Sequence, residues 1–466
     1  HQSSDNNSYI VEGGTGSLMI QGDIINIGNV GSSKYYIRAF EDGAVQLRYG
    51  NNLTKLATTA TGIEVTGEVA ASQDYPNFRP TLDLNFAAVK KLDPRITYTR
   101  SGPASFTDEF GKLIKVAANA PRFDHNFGTG ESLGLLIEES STNISRYSEK
   151  ASGTTNWNQF GSISENVIEA PDGTMTADKL EAPANNHGLI NIAVSWTANV
   201  PHTFSIFAKS AEFNRIGIRL YDGTSYFMRT TVNLDTGEAV NNEAGTLNVE
   251  KFANGWWRIS TTGTPVTTYN YNSLASVEPH NTQLVQTSDP SNSREGIYIW
   301  GWQMEAKAFP TSYIPTNGVA VTRGGDNVDI DGENFTDFYN QTESTIISSH
   351  TLLPNVLNAE NVYVYQIQDA STNNTIRVVD KNSSYSNVAT GLVISGGSSV
   401  FHFNNTTDSY TKDKVLVALS VKNNDFAGCH NGGTVETDTS GTLPTNMNSL
   451  GIGRYPPSGG YELNGH

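Results

Sequence analysis

Cysteine is almost absent: Cys429 stands alone among 466 residues. That excludes an intrachain disulfide and a cysteine-based zinc cluster, so packing or oligomerisation must supply the stability. Long apolar runs are missing as well, and nothing approaches the roughly 18 to 20 consecutive apolar residues of a membrane-spanning helix. Positive charge is scarce, with 30 Lys and Arg against 47 Asp and Glu and a formal net charge of -17. Binding to nucleic acid draws on clustered Lys and Arg that displace counterions, and anionic lipid attracts the same residues. Neither a nucleic-acid partner nor membrane insertion is expected. What the chain does have is Gly, Asn, Ser and Thr in abundance, together with 20 Tyr and 19 Phe. This mixture favours strands and turns over helices. The length corresponds to roughly three domains, and the fold class expected is all-β.

Residues 1 to 70 hold short alternating runs broken by Gly and Asn. In AVQLRYG, Val45, Leu47 and Tyr49 fall on one face while Gln46 and Arg48 point the other way, the period of a half-buried strand. Strands this short supply one apolar face and no second layer, and a small isolated sheet is marginal in water. The apolar face therefore meets copies of itself, or the segment is a small monomeric β module. The words AVQLRYGNNLTKLATTATGIEVTGEV resemble the shaft segments of tail-fibre proteins from marine and cyanobacterial bacteriophages. Those are usually trimeric, so the resemblance implies a homotrimer.

A polar, proline-interrupted stretch at residues 70 to 80 marks a junction. Residues 71 to 146 read as a linker and the opening strands of a lectin-like sandwich. Here LDLNF and GLLIEESSTNIS resemble a block found in many phage fibre and tail proteins. Residues 147 to 318 give strands at intervals, among them HTFSIFAKS, RIGIRLYD, GWWRISTTG and GIYIWGWQMEA, separated by turns such as LDTGE. Together with APDGTMTADKL and AFPTSYIPT these resemble the carbohydrate-binding-module-like jelly roll of phage fibres. Residues 319 to 466, with KVLVALSVKNNDFAGCHNGGTV and LGIGRYPPSGGYELNGH, resemble a concanavalin A-like (laminin G-like) sandwich. In that family another strand commonly follows NGH. The LDLNF segment is expected to be a strand of this sandwich, which makes the jelly roll an insertion.

Aromatic residues are the candidate binding groups, because a flat ring buries area against the C–H face of a sugar at small entropic cost. Tyr298, Trp300 and Trp302 are read as sharing one face of a strand. Trp300 is expected in the core, whereas Trp302 is either core filling or recognition surface. Adjacent Trp256 and Trp257 must point opposite ways on a strand; family patterns put Trp256 inside, leaving Trp257 with Tyr269, Tyr271 and Asn272 of the following loop as candidate contacts. Arg219 and Tyr221 alternate with Ile216, Ile218 and Leu220 and are expected to face outward.

No catalytic residues are expected. Glu138 and Glu139 are adjacent and would face opposite ways on a strand, and no GxSxG motif or phosphate-cradling loop is present. Asp326, Asp329, Asp331 and Glu333 have the oxygen chemistry of a calcium site, but their spacing is not that of an EF-hand and a strand would send alternate carboxylates apart. No cofactor is implied. The resemblance implies a bacteriophage virion fibre at the particle surface, non-enzymatic, with other virion proteins and host surface glycan as partners. The alternatives are a structural head or tail fibre and a polysaccharide depolymerase.

Overall fold

The computed structural model describes residues 20, 22–28, 34–41, 43–49, 53–60, 62–66, 80–151, 157–160, 162–181, 189–280, 295–353, 362–369, 371, 373–380, 390–404, 414–455 and 462–466, with the backbone alone at 157–160, 189–194, 269–280 and 404. The chain divides into two compact units, His1–Arg79 and Pro80–His466. Both are built from β-strands.

In the first unit the strands Ile24–Gly28, Tyr35–Phe40, Val45–Tyr49, Leu53–Thr58 and Ile63–Val65 pair in chain order as one antiparallel meander. The register sets Ile27, Ile37, Leu47, Leu56 and Val65 side by side across all five strands. On the other face Asn26, Arg38, Gln46, Ala57 and Glu64 form the matching row. Alternation in the sequence thus becomes one apolar and one polar face. The apolar face is the more open: Ile27 is 53%, Leu47 43% and Val65 41% exposed, while Gln46 and Arg48 are half-buried. Among the described residues this unit is a single layer, which cannot close its own core.

The second unit holds two sandwiches. Two six-stranded sheets make the jelly roll. One runs Trp157–Phe160, Leu189–Trp196, Tyr269–His280, Arg215–Tyr221, Tyr226–Asn233, Ala239–Ala244; the other runs Ser162–Ile168, Ala177–Glu181, Gly296–Glu305, His202–Ser210, Trp257–Gly263, Thr246–Lys251. Between them lies a core that includes Trp196, Phe204, Ile218, Ile259, Ile299 and Met304. The other sandwich faces a four-stranded sheet of Glu343–His350, Val415–Lys422, Asp425–His430 and Glu436–Asp438 with a seven-stranded one. The larger sheet ends in Asn327–Asp331 paired with Thr97–Thr99, residues from either side of the jelly roll in sequence. Ser141–Asn143 and Val321–Arg323 likewise pair where the chain enters and leaves the jelly roll.

LDLNF is not the strand that joins this sheet. Leu82, Leu84 and Phe86 pack on the sandwich core, Phe86 opens a short helix, Phe86–Val89, and the pairing falls to Thr97–Thr99. Apolar alternation marks burial there, but Asn85 caps the helix by accepting a hydrogen bond from the Ala88 amide at 3.2 Å, and the chain turns away from an extended course.

Strand Gly296–Glu305 is buried along almost its whole length, and it contains a correction. Tyr298 and Trp300 belong to one apolar cluster, on the side away from the two-sheet core, with Phe207, Phe252 and Tyr313. Trp302 belongs to the opposite cluster, with Met304 and Ile299. The cause is a bulge: Ser205 pairs with Gln303 but Phe207 with Trp300, and Gly301 between them has φ 60°. One extra residue reverses the facing of everything beyond it. A Cβ on Gly301 would sit 3.0 Å from the Phe207 ring. Gly301→Ala is therefore expected to lower stability by about 1–3 kcal/mol, from the left-handed backbone and this contact. Denaturant unfolding followed by tryptophan fluorescence checks it; an unchanged midpoint would contradict the bulge assignment.

Candidate functional site

Of the residues singled out from the sequence, Arg219 and Tyr221 come together on the outward face of the jelly-roll sheet that contains Arg215–Tyr221. Ile216, Ile218 and Leu220 are fully buried on the other side, so the alternation places both groups outward, Tyr221 47% exposed and Arg219 half-buried. Arg219 lies directly across from Arg229, and Tyr221 from Tyr226. The two tyrosine rings are 5.1 Å apart. The Arg229 guanidinium sits 5.0 Å from the Tyr226 ring, a cation–π contact. It also pairs with Glu243 at 2.6 Å, and Asn241 donates to the same carboxylate at 2.7 Å. Two aromatic rings, a guanidinium, a carboxylate and an amide thus share one exposed surface. This set can stack on a sugar face and hydrogen-bond its hydroxyls.

Tyr226, Arg229, Asn241 and Glu243 were not legible from spacing alone. A bulge at Leu220/Tyr221 leaves Phe227 and Met228 both buried in the core and turns Tyr226 to the outside. The turn between the strands, in which Asp222 caps the amides of Thr224 and Ser225 at 2.9 Å, was the available hairpin signal.

The other candidates lie elsewhere. Trp302 is 1% exposed, which overturns its reading as a contact residue, for the reason given by the Gly301 bulge. Trp257 belongs to the other jelly-roll sheet. It is half-buried, its indole N–H donates to the Leu234 carbonyl at 2.7 Å, and a Cβ on Gly237 would run into its ring. That ring serves as the floor of the LDTGE turn. Trp256 is 1% exposed and donates to the Glu169 carbonyl at 3.1 Å. Tyr269, Tyr271 and Asn272 open the strand Tyr269–His280 rather than a loop; their side chains lie outside the described residues.

Four of the six carboxylates considered for chemistry, Glu138, Glu139, Asp326 and Asp329, are engaged in ion pairs. Glu138 is fully buried and accepts from Arg122 at 2.5 Å, Arg323 at 2.6 Å and the Ser312 hydroxyl at 2.6 Å. Burial pushes its carboxyl up, but Arg323, Arg122 and Ser312 outweigh this and hold it down at about 2. A group so held keeps its proton off and is a poor general acid. Glu139 pairs with Lys307 at 2.7 Å. Asp326 is buried against Arg122 at 2.5 Å and Arg100 at 3.5 Å, and Asp329 pairs with Arg454 at 3.2 Å, so these oxygens are divided among cations. Among the described residues no three His, Cys, Asp or Glu side chains gather in a metal-binding arrangement, and no helix is long and apolar enough to cross a membrane.

No protein-family model matches the chain, and no curated protein does. Solved structures with similarity include laminin G-domain regions. The LG1-3 region of the laminin alpha2 chain is 9% identical with a TM-score of 0.20, covering 60% of this chain and 59% of that one. Domains LG4-5 of the mouse laminin alpha1 chain are 8% identical with a TM-score of 0.19, covering 68% and 86%. The chain thus spans less than two thirds of the alpha2 fragment. Scores of this size establish no shared ligand; the all-β sandwich architecture rests on the strand pairings themselves.

Proposed function

We propose that this protein is a non-enzymatic attachment protein that binds cell-surface glycan through the outward face of its jelly roll and works as an oligomeric bacteriophage fibre. The exposed Tyr221–Tyr226 pair beside the Arg229–Glu243 ion pair carries the binding reading. The fibre reading is supported by the resemblance of residues 44 to 69 to phage shafts and by the open apolar face of the first unit. Three copies that close those faces on one another hold three jelly rolls on one particle. A weak site then gains effective concentration from its neighbours, which slows escape without any new contact.

Glycan-array binding by the full chain tests the site. Tyr221→Ala and Tyr226→Ala should each weaken binding by roughly tenfold, the cost of losing a stacked ring. Both rings are exposed, so melting should stay unchanged. Binding that survives both substitutions would contradict the assignment. Shortening of a host polysaccharide by the wild-type protein would favour a depolymerase instead.

A further inference from the structure

The hairpin of Ala104–Thr107 and Leu113–Val116 lies against the turn that joins the jelly-roll strands Ser162–Ile168 and Ala177–Glu181, where the Leu113 amide donates to the Pro171 carbonyl at 3.0 Å. Lys115, two residues further along the strand, leaves it on the same side as Leu113. Its amine lies 2.8 Å from Asp172 Oδ2 and 2.6 Å from Glu149 Oε1, with the Trp300 ring 5.0 Å away. The lysine side chain is 32% exposed, but that of Asp172 only 5%.

The other oxygen of Asp172 is held separately. Oδ1 accepts from the Thr174 amide at 3.0 Å and from the Thr174 hydroxyl at 2.6 Å. Glu149 Oε1 is fixed by the buried Tyr313, whose hydroxyl donates to it at 2.9 Å. An amine against one oxygen of a carboxyl group, donors fixed on the other oxygen, and a second carboxylate on the amine are the parts of an acyl transfer: nucleophile, oxyanion site and proton carrier.

We propose that Lys115 and Asp172 become joined by a side-chain amide bond, made by the folded chain itself with Glu149 carrying a proton. The Nζ–Cγ bond forms, the Cγ–Oδ2 bond breaks, and Oδ2 leaves as water. Both protons of that water come from the ammonium: one crosses directly along the Nζ–Oδ2 contact, and the other travels by way of Glu149, which ends as it began. Oδ1 becomes the amide oxygen, and the Thr174 donors hold its negative charge on the way. The resting pair is ionised. Burial pushes the Asp172 carboxyl up, but Lys115 and Thr174 outweigh it and hold the group down; burial pushes the Lys115 amine down, but Asp172 and Glu149 hold it up. Reaction from the minor neutral pair is therefore slow, a maturation step. Cys429 is the only cysteine, so the amide supplies a covalent tie that no intrachain disulfide can. It constrains the unfolded chain as a disulfide would. None of these residues belongs to the Tyr221–Tyr226 face, so the bond is independent of the glycan reading.

Intact mass spectrometry of the full chain, followed until the mass is constant, tests the proposal. The wild type should be lighter than its sequence by one water, and a tryptic digest should yield the Lys115 and Asp172 peptides joined, with no cleavage after Lys115. Lys115→Arg keeps the cation but has no attacking amine, and Asp172→Ala has no carboxyl; both should keep the full sequence mass. Glu149→Gln should slow the loss of water about tenfold or more. A succinimide at Asp172–Gly173 would also cost one water, but it would persist in Lys115→Arg. The wild-type mass and the joined peptide require no variant to fold. Full sequence mass with cleavage after Lys115 in the wild type, a water loss that survives Lys115→Arg, or an unchanged rate in Glu149→Gln would overturn the proposal.

Discussion

Arg122→Met should destabilise the second unit by about 3–5 kcal/mol, the cost of leaving buried carboxylates without their cation. The Arg122 side chain is wholly buried, as are those of Glu138, Asp326, Arg100 and Arg323. Arg122 bridges Glu138 and Asp326 at 2.5 Å each, and Asp326 also accepts from the Glu138 amide at 2.8 Å. Tyr98 donates to Asp326 as well. The cluster ties the sheet edge at Tyr98 to Ser312 and Arg323, on the chain's way out of the jelly roll. Arg122→Lys keeps the charge but loses the planar fork that reaches both carboxylates, so it should fall between wild type and the methionine variant. Chemical denaturation checks both. A loss below about 1 kcal/mol for Arg122→Met would mean that the cluster does not hold the unit together.

The same cluster sets an acid limit. Glu138 is held at about 2 in the fold, below the ordinary 4.5. A carboxylate depressed in this way contributes stability that is complete above its unfolded pKa and is lost as pH falls through the folded one. Stability should therefore decline from about pH 4.5 toward pH 2. In Arg122→Met one of the two guanidiniums on Glu138 is gone, the folded pKa rises, and the acid-labile contribution becomes smaller.

Leu47→Glu is expected to have the second large effect: it should convert the assembled protein to monomers. Leu47 sits at the middle of the apolar row between Ile37 and Leu56, and it is 43% exposed in the single chain. If copies close this face, each glutamate enters a dry interface, where an unpaired ion costs several kcal/mol, and three such ions also repel one another. Unfolding of the second unit should be unaffected, because residue 47 belongs to the other compact unit. Light scattering before and after the substitution reads the result. An unchanged mass would show that this face is not the contact.

Local pattern was enough to read the strands and much of their facing. Val45, Leu47 and Tyr49 alternate with Gln46 and Arg48 because a strand has period two, and Trp256 and Trp257 separate for the same reason. The failures come where one residue is inserted into that period. Gly301 sends Trp302 into the core, and the bulge beside Tyr221 brings Tyr226 outward; a glycine inside a strand pattern is the sequence signal for the first, while the second has none in composition. Non-local pairing hid the rest. Glu138 meets Arg323 across 185 positions and Asp326 across 188, so nothing near Glu138 in sequence announces that its charge is already matched.

Sedimentation equilibrium of the intact chain tests the central claim most directly, that the first unit completes its fold by covering its apolar face with copies of itself. The account predicts three times the protomer mass, maintained on dilution to low micromolar concentration. A single protomer mass, with the amides of the strands Tyr35–Phe40, Val45–Tyr49 and Leu53–Thr58 protected from hydrogen exchange in that monomer, would contradict it.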